Sequence, residues 1–311
     1  MIVCVTPNPT MDRTYVIPGY GDGGVFRSST HHVGAGGKGI NVARAVSGLG
    51  GLGLCAGFLA GHTGQHITEM LTAEGIRQEW TYLENGETRT CIVMADTERQ
   101  ITTVVNETGP EALPEDWARL QHDLLKASAG SEFICFGGSL PPGAPAALFK
   151  DLLCVLREAG KIVWVDSSGA GLAAALDLGG CGIKVNQAEI GAILNLTVTT
   201  PQAAAEAATQ LSERIQAPVV VTMGAAGAVL SMQGEVWRAT PPSIQIVSDV
   251  GSGDSFFAGL LVGFLRGHPP VKALRQAVAA GAANALSMGG GRFTWDQFEA
   301  MMNGTQVETL R

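Results

Sequence analysis

The sequence predicts an α/β fold, a parallel sheet with helices on both faces. Three observations carry that expectation. Short apolar runs alternate with helical patterns along most of the 311 residues. Hydrophobic residues make up 46% and charged residues 15%, enough to build a sizeable core. Glycine supplies 42 residues, about twice its ordinary share, which suits many tight turns and close approach of backbone to a ligand.

Taken in order, 2–6 reads as a buried strand. Residues 40–49 follow a glycine cluster and read as a helix, and 53–59 as the next strand. A helix near 64–73 and a strand near 77–83 come next. Strands at 132–136 and 161–166 enclose a helix at 144–158. Strands at 183–186 and 218–222 are separated by helical stretches. Beyond Gly253 the pattern is mostly helical, over 254–265, 271–287 and 294–302. Two regions break the alternation: 13–17 with 25–33, and 89–95 with 101–105 around the polar turn Asp96–Gln100. These read as four extra strands, a small sheet projecting from the main layer. No repeat or linker divides the chain, so one domain over 1–311 is expected.

The net charge of −8 argues against a broad nucleic-acid-binding surface. The longest membrane candidate, 256–265, is too short to span a bilayer. No basic residue precedes the first apolar run and Pro7 ends it, so a secretory signal is not expected and a cytoplasmic setting is. The cysteines (Cys4, Cys55, Cys91, Cys135, Cys154 and Cys181) form no CxxC pair and read as buried reduced thiols. His62 and His66 are four apart but lack the glutamate of a zinc-protease motif.

Four clusters could carry chemistry. Gly34, Gly36 and Gly39 give a G-x-G-x-x-G spacing, but no acid occurs between Gly23 and Thr68 to hold a ribose, so the dinucleotide reading fails. Lys38 is followed by Gly39 rather than Ser or Thr, so this is no Walker loop either. A glycine loop entering a helix remains, with Lys38 and Asn41 on it, suited to an anion or a hydroxyl-rich ligand. Gly251-Ser252-Gly253-Asp254 leads into an apolar helix. Its N–H groups suit charge developing on a transferred phosphoryl group, and Asp254 could take a hydroxyl proton or simply cap the helix. Asn186 and Glu189 could hold a hydrated magnesium ion or form a capping box. Asp12, after Pro7-Asn8-Pro9, stands where sheet ligands lie and could bind sugar hydroxyls or belong to a turn.

Together these clusters resemble the phosphofructokinase-B branch of the ribokinase-like carbohydrate kinases. The resemblance rests on Pro7-Asn8-Pro9 with Asp12, on the segments 36–43, 138–143 and 166–169, on the Asn186/Glu189 pair, and on 251–254. It implies a three-layer sandwich with a mostly parallel sheet and a β lid formed by about 11–36 and 88–106. It implies phosphoryl transfer from ATP with Mg2+, Asp254 as general base and Gly251, Ser252 and Gly253 as anion hole. Asp12, Gly37, Lys38 and Asn41 match sugar-binding positions; Arg27, Arg89 and Ser139 match positions holding the substrate's own phosphate. Lys184, Asn186, Glu189, Thr222, Gly224, Gly227 and Asn284 match nucleotide or magnesium positions, with Glu189 reaching the ion through water. A homodimer through the lid is also implied.

Lys38 and the segment Asn106-Glu107-Thr108-Gly109-Pro110 look like those of 1-phosphofructokinases and tagatose-6-phosphate kinases. Fructose 1-phosphate is therefore the leading acceptor and tagatose 6-phosphate the near neighbour. Val25 stands where some 6-phosphofructokinases carry a lysine, which weakens fructose 6-phosphate as a substrate. A kinase for an unphosphorylated sugar and a catalytically silent sugar-phosphate-binding regulator are the other readings. His31 and His32 lie near the sugar loop and fit no family role.

Overall fold

The structure, a computed structural model, describes residues 1–21 and 23–310. Asp22, inside the first lid segment, and Arg311 lie outside the described residues. The first half of the chain contributes strands β1 (Ile2–Thr6), β2 (Thr10–Val16), β3 (Thr30–Gly36), β4 (Gly53–Ala60), β5 (Arg77–Leu83), β6 (Arg89–Asp96) and β7 (Ile101–Asn106), with helices α1 (Lys38–Gly48) and α2 (Gly61–Ala73). Next come α3 (Pro114–Ala127), β8 (Phe133–Gly137), α4 (Ala146–Glu158), β9 (Ile162–Asp166), α5 (Gly169–Leu178), β10 (Gly182–Asn186), α6 (Gln187–Leu194), α7 (Pro201–Ile215) and β11 (Val219–Thr222). The last part holds β12 (Ala228–Met232), β13 (Glu235–Thr240), α8 (Ser252–Leu265), α9 (Pro270–Asn284), α10 (Trp295–Gly304) and β14 (Gln306–Thr309).

Ten strands form one sheet in the order β14-β13-β12-β11-β10-β9-β8-β1-β4-β5. From β11 to β5 every pairing is parallel, as the strand–helix alternation predicts. The side chains of β1 separate to the two faces: Val3 and Val5 join one apolar cluster, Ile2 and Cys4 the other. Both faces are thus covered. The six thiols are unpaired; five are buried and Cys154 is partly exposed. No described helix is long and apolar enough to cross a membrane.

Three features differ from expectation. Strands β12, β13 and β14 add an antiparallel edge. Residues 233 and 234 form the two-residue turn between β12 and β13, both at positive φ, so Gln233 occupies a place where Asn or Asp would have signalled the hairpin. The third difference concerns the lid, the separate four-stranded sheet β3-β2-β6-β7. Its strand β3 begins at Thr30 rather than Val25 and runs on through Gly36, so Gly34 and Gly36 sit in a strand and not in a loop. The glycines belong there because the Asp12 carboxylate lies across Gly36: a Cβ on Gly36 would stand 2.0 Å from Asp12 Oδ2.

Candidate active site

Two neighbouring strands bring two charged residues together: Asp166 at the end of β9 and Lys184 in the middle of β10. Asp166 closes the apolar run Val163-Trp164-Val165, and Lys184 interrupts Ile183 and Val185. Both are buried, at 1% and 6% exposure, so each needs a partner. Lys184 Nζ donates to Asp166 Oδ2 at 2.6 Å, and Lys38 Nζ donates to Asp166 Oδ1 at 2.7 Å. Burial works against the Asp166 charge, but the two ammonium groups outweigh it and hold the carboxyl below its ordinary range. Burial likewise works against Lys38, and Asp166 more than offsets it, so the lysine stays charged. One carboxylate thereby bridges two cations.

Asp254 stands in the first turn of α8, 7% exposed. Burial pushes its carboxyl up to about 6, with the like charge of Asp166 adding to the rise; Asn41, Lys184 and Lys38 pull the other way. Asn41 Nδ2 donates to Asp254 Oδ2 at 2.8 Å. Gly251 precedes the helix at φ 78°, and a Cβ there would lie 2.2 Å from Gly290 Cα. A Cβ on Gly253 would meet Lys184 Nζ at 3.4 Å, so the lysine head sits beside this turn. The Ser252 N–H donates to Asp249 O, which removes it from the anion hole. The N–H groups of Gly251 and Gly253 have no backbone partner among the described residues and remain for an anion.

A cavity of about 440 Å3 opens next to that turn, and Thr222, Gly224, Gly227, Ser252 and Gly253 line it as expected. Its other walls include the apolar Pro241, Pro242, Ile244, Phe256, Ala282 and Ala285, which suit a flat ring, with Ser243 and Asp249 also on the lining. Asn284 lies elsewhere than expected. It is wholly buried, donates to Val250 O at 2.9 Å, and accepts from Ser255 Oγ at 3.0 Å and from the Arg292 N–H at 3.1 Å. It braces the turn from behind and lines no part of the cavity.

Asn186 and Glu189 form the capping box that their spacing allows. Asn186 Oδ1 accepts from the Glu189 N–H at 2.9 Å, and Glu189 Oε2 accepts from the Asn186 N–H at 2.8 Å. Glu189 Oε1 stays uncommitted. No three acidic, histidine or cysteine side chains converge on a metal position among the described residues. The donor set therefore fits a hydrated ion held chiefly by phosphates, with Glu189 reaching it through water, and not an all-protein cage.

In the lid, strand register puts Asp12 and Arg89 on one face. Burial pushes the Asp12 carboxyl up to about 6, against the pull of Arg89 and Arg44. Arg89 Nε donates to Asn8 O at 3.2 Å. Gly37 caps α1 at φ 121°, where a Cβ would meet Thr6 Cγ2 at 2.6 Å. Ser139 is exposed in the turn after β8, and His31 and His32 are exposed on β3. Arg27 is different. It lies exposed in the irregular segment before β3, without an ion pair among the described residues.

The model of the pfkB family of carbohydrate kinases matches residues 9–297. The chain belongs to this family. It is a carbohydrate kinase, similar over its whole length to named relatives. Tagatose-6-phosphate kinase of Staphylococcus epidermidis is 31% identical over 312 residues, covering 99% of both chains. The 1-phosphofructokinase of Rhodobacter capsulatus is 33% identical over 289 residues, covering 93% of this chain and 89% of the relative. Among solved structures, Escherichia coli phosphofructokinase-2 in complex with potassium superposes with a TM-score of 0.90 at 26% identity, over 97% of this chain and 98% of that one. The same enzyme has been solved in a tetrameric inhibited form, TM-score 0.89. The pfkB fold, a large mostly parallel sheet with a small lid, is the one described above.

Parts of this kinase site were missed in the sequence. The motif around Asp166 was legible, but its bridging of two lysines was not; a lysine inside an apolar strand was the available signal. The turn Gly289-Gly290-Gly291 packs so closely on Asn41 that a Cβ on Gly290 would lie 2.5 Å from its Cγ. Nothing in its spacing announces that contact.

Proposed function

We propose that this kinase transfers the γ-phosphoryl group of ATP, as its magnesium complex, to a hydroxyl of a ketohexose phosphate. Fructose 1-phosphate is the leading acceptor and tagatose 6-phosphate the near neighbour. The observation that carries the reading is the meeting, at one cleft, of the Asp254 carboxylate, the Gly251–Gly253 turn and the Lys38–Asp166–Lys184 bridge. The relatives named above support the acceptor class.

In this reading Asp254 accepts the acceptor hydroxyl's proton late, in a loose transition state that asks little of a base. Lys184 and the Gly253 N–H stabilise charge on the moving phosphoryl group. Lys38, held by Asp166, faces the sugar side, and Asp12 accepts hydrogen bonds from sugar hydroxyls. Arg89 holds the acceptor's own phosphate, for which a planar guanidinium is suited. Magnesium, held mainly by the nucleotide phosphates with Glu189 behind a water, would neutralise phosphate charge.

A dimer formed through the lid belongs to the same proposal. β7 is exposed along its whole length, and Arg27 has no ion-pair partner among the described residues. Cytoplasmic residence is part of it too.

The test is ADP release with fructose 1-phosphate, tagatose 6-phosphate, fructose 6-phosphate and free hexoses. Strong turnover with one ketohexose phosphate is expected, together with loss of acceptor affinity in Arg89→Ala. Turnover confined to neutral sugars, or an Arg89→Ala variant with wild-type KM, would overturn the acceptor class.

A further inference from the structure

We propose that the partly buried ion pair Arg44–Glu74 is the positioning device that fixes the Asn41 carboxamide and, through it, the Asp254 carboxylate. The inference rests on the reading of Asp254 as the base. Arg44 follows Asn41 by three residues on α1 and is 8% exposed. Its Nε donates to Glu74 Oε2 at 2.6 Å and its NH2 to Glu74 Oε1 at 2.9 Å, a side-on bidentate pair. Arg292 NH2 donates to the same Oε1 at 3.1 Å. Glu74 follows the last turn of α2 and Arg292 follows the glycine turn, so three separate segments meet on one carboxylate.

The remaining arm of Arg44 carries the argument. NH1 donates to Asn41 Oδ1 at 3.2 Å. A guanidinium has donors and no acceptor, so only the oxygen end of the carboxamide can face it. The nitrogen end must then face Asp254, which is where Nδ2 lies. Were the amide reversed, its oxygen would face a carboxylate and stabilise the protonated acid instead of the base. Rotation is resisted from outside as well: Gly290 and Gly291 lie against Asn41, and a Cβ on Gly291 would reach 2.9 Å from Arg44 Cβ. A simple tie between α1 and α2 would need the Glu74 pair alone and would not need the third arm on Asn41.

The experiment replaces the pair with apolar side chains of similar volume, Arg44→Met with Glu74→Met, which keeps packing and leaves no unpaired buried charge. The Asp254 carboxyl is followed by carbon-13 NMR against pH and assigned by its loss in Asp254→Asn. The charged and polar groups facing it are Asn41, Asp166, Lys184 and Lys38. Losing the fixed Asn41 donor should move the midpoint upward from about 6. With substrate, kcat should fall about tenfold or more, with its acid limb moved the same way, and KM for ATP should stay within about twofold. An unchanged midpoint with kcat within about twofold of wild type would overturn the proposal. If the double variant fails to fold, Glu74→Gln decides: a smaller upward shift supports the device and an unmoved midpoint overturns it. The titration needs no substrate, so it stands apart from the acceptor panel, and a failure of the panel alone would count against the proposed activity only.

Discussion

Asp254 lives with a conflict. The role of base proposed for it needs a charged carboxylate, while burial in the first turn of α8 favours the neutral form and lifts the carboxyl to about 6 from its ordinary 3.8. In the folded protein the acid holds its proton more tightly than in the unfolded chain. Its contribution to stability is therefore full below about 4 and is lost as pH rises through about 6. Asp254→Asn removes that cost and should raise stability at pH 8 by up to about 3 kcal/mol, the worth of a shift of this size. The same change should lower kcat about 10^3-fold, because the base is gone. Thermal melts and turnover measured on one preparation check both signs. In the wild type, activity should climb through pH 6 as Asp254 ionises. Because Asp12 is raised to the same region, the kcat/KM limb should be steeper than a single proton gives.

At the scale of elements, turns that no side chain could enter hold the site together. Gly251 is at φ 78° and lies against Gly290, and both flank the base. Gly251→Ala adds a Cβ that strains the backbone and meets Gly290 Cα at 2.2 Å. It should lower kcat at least about 100-fold, as loss of an anion-hole donor does, and it should lower the melting temperature too. A variant with native turnover would remove the anion hole from the mechanism. What the sequence made legible follows the same division. Buried parallel strands are continuous apolar runs, and 2–6, 132–136 and 161–166 read directly. The hairpin of β12 and β13 did not, because its turn is Gln-Gly and its outer strand mixes Val236 and Trp237 with Arg238. β3 was misjudged because Gly34 and Gly36 look like a loop unless one knows that Asp12 lies across them. Site residues that repeat a family motif were legible. Partners that meet only in space were not: Lys38 and Lys184 on Asp166, and Glu74 on Arg44.

On the scale of the whole molecule, the lid is the element least satisfied by its own chain. Val104 and Val105 point to opposite faces of β7, and each is 51% exposed. Phe26, 45% exposed, and Val25 lie in the segment that carries Arg27. A strand whose valines are left wet on both faces is an association surface or an aggregation hazard, and Val104 shares its face with Asp12 and Arg89, the residues proposed to bind the acceptor. A second lid laid across it would cover Val104 and shut water away from the sugar. A two-fold arrangement brings each residue near its own copy, so like charges introduced there repel. Val104→Glu with Val105→Glu should therefore change the sedimenting species from two chains to one. KM for the acceptor should rise about tenfold while KM for ATP, proposed to bind in the cavity lined by Thr222 and Ala285, whose lining includes no lid residue, stays within about twofold. Wild-type protein that sediments as a single chain at assay concentration, with full acceptor affinity, would mean that one lid suffices and that the exposed valines serve something other than the dimer.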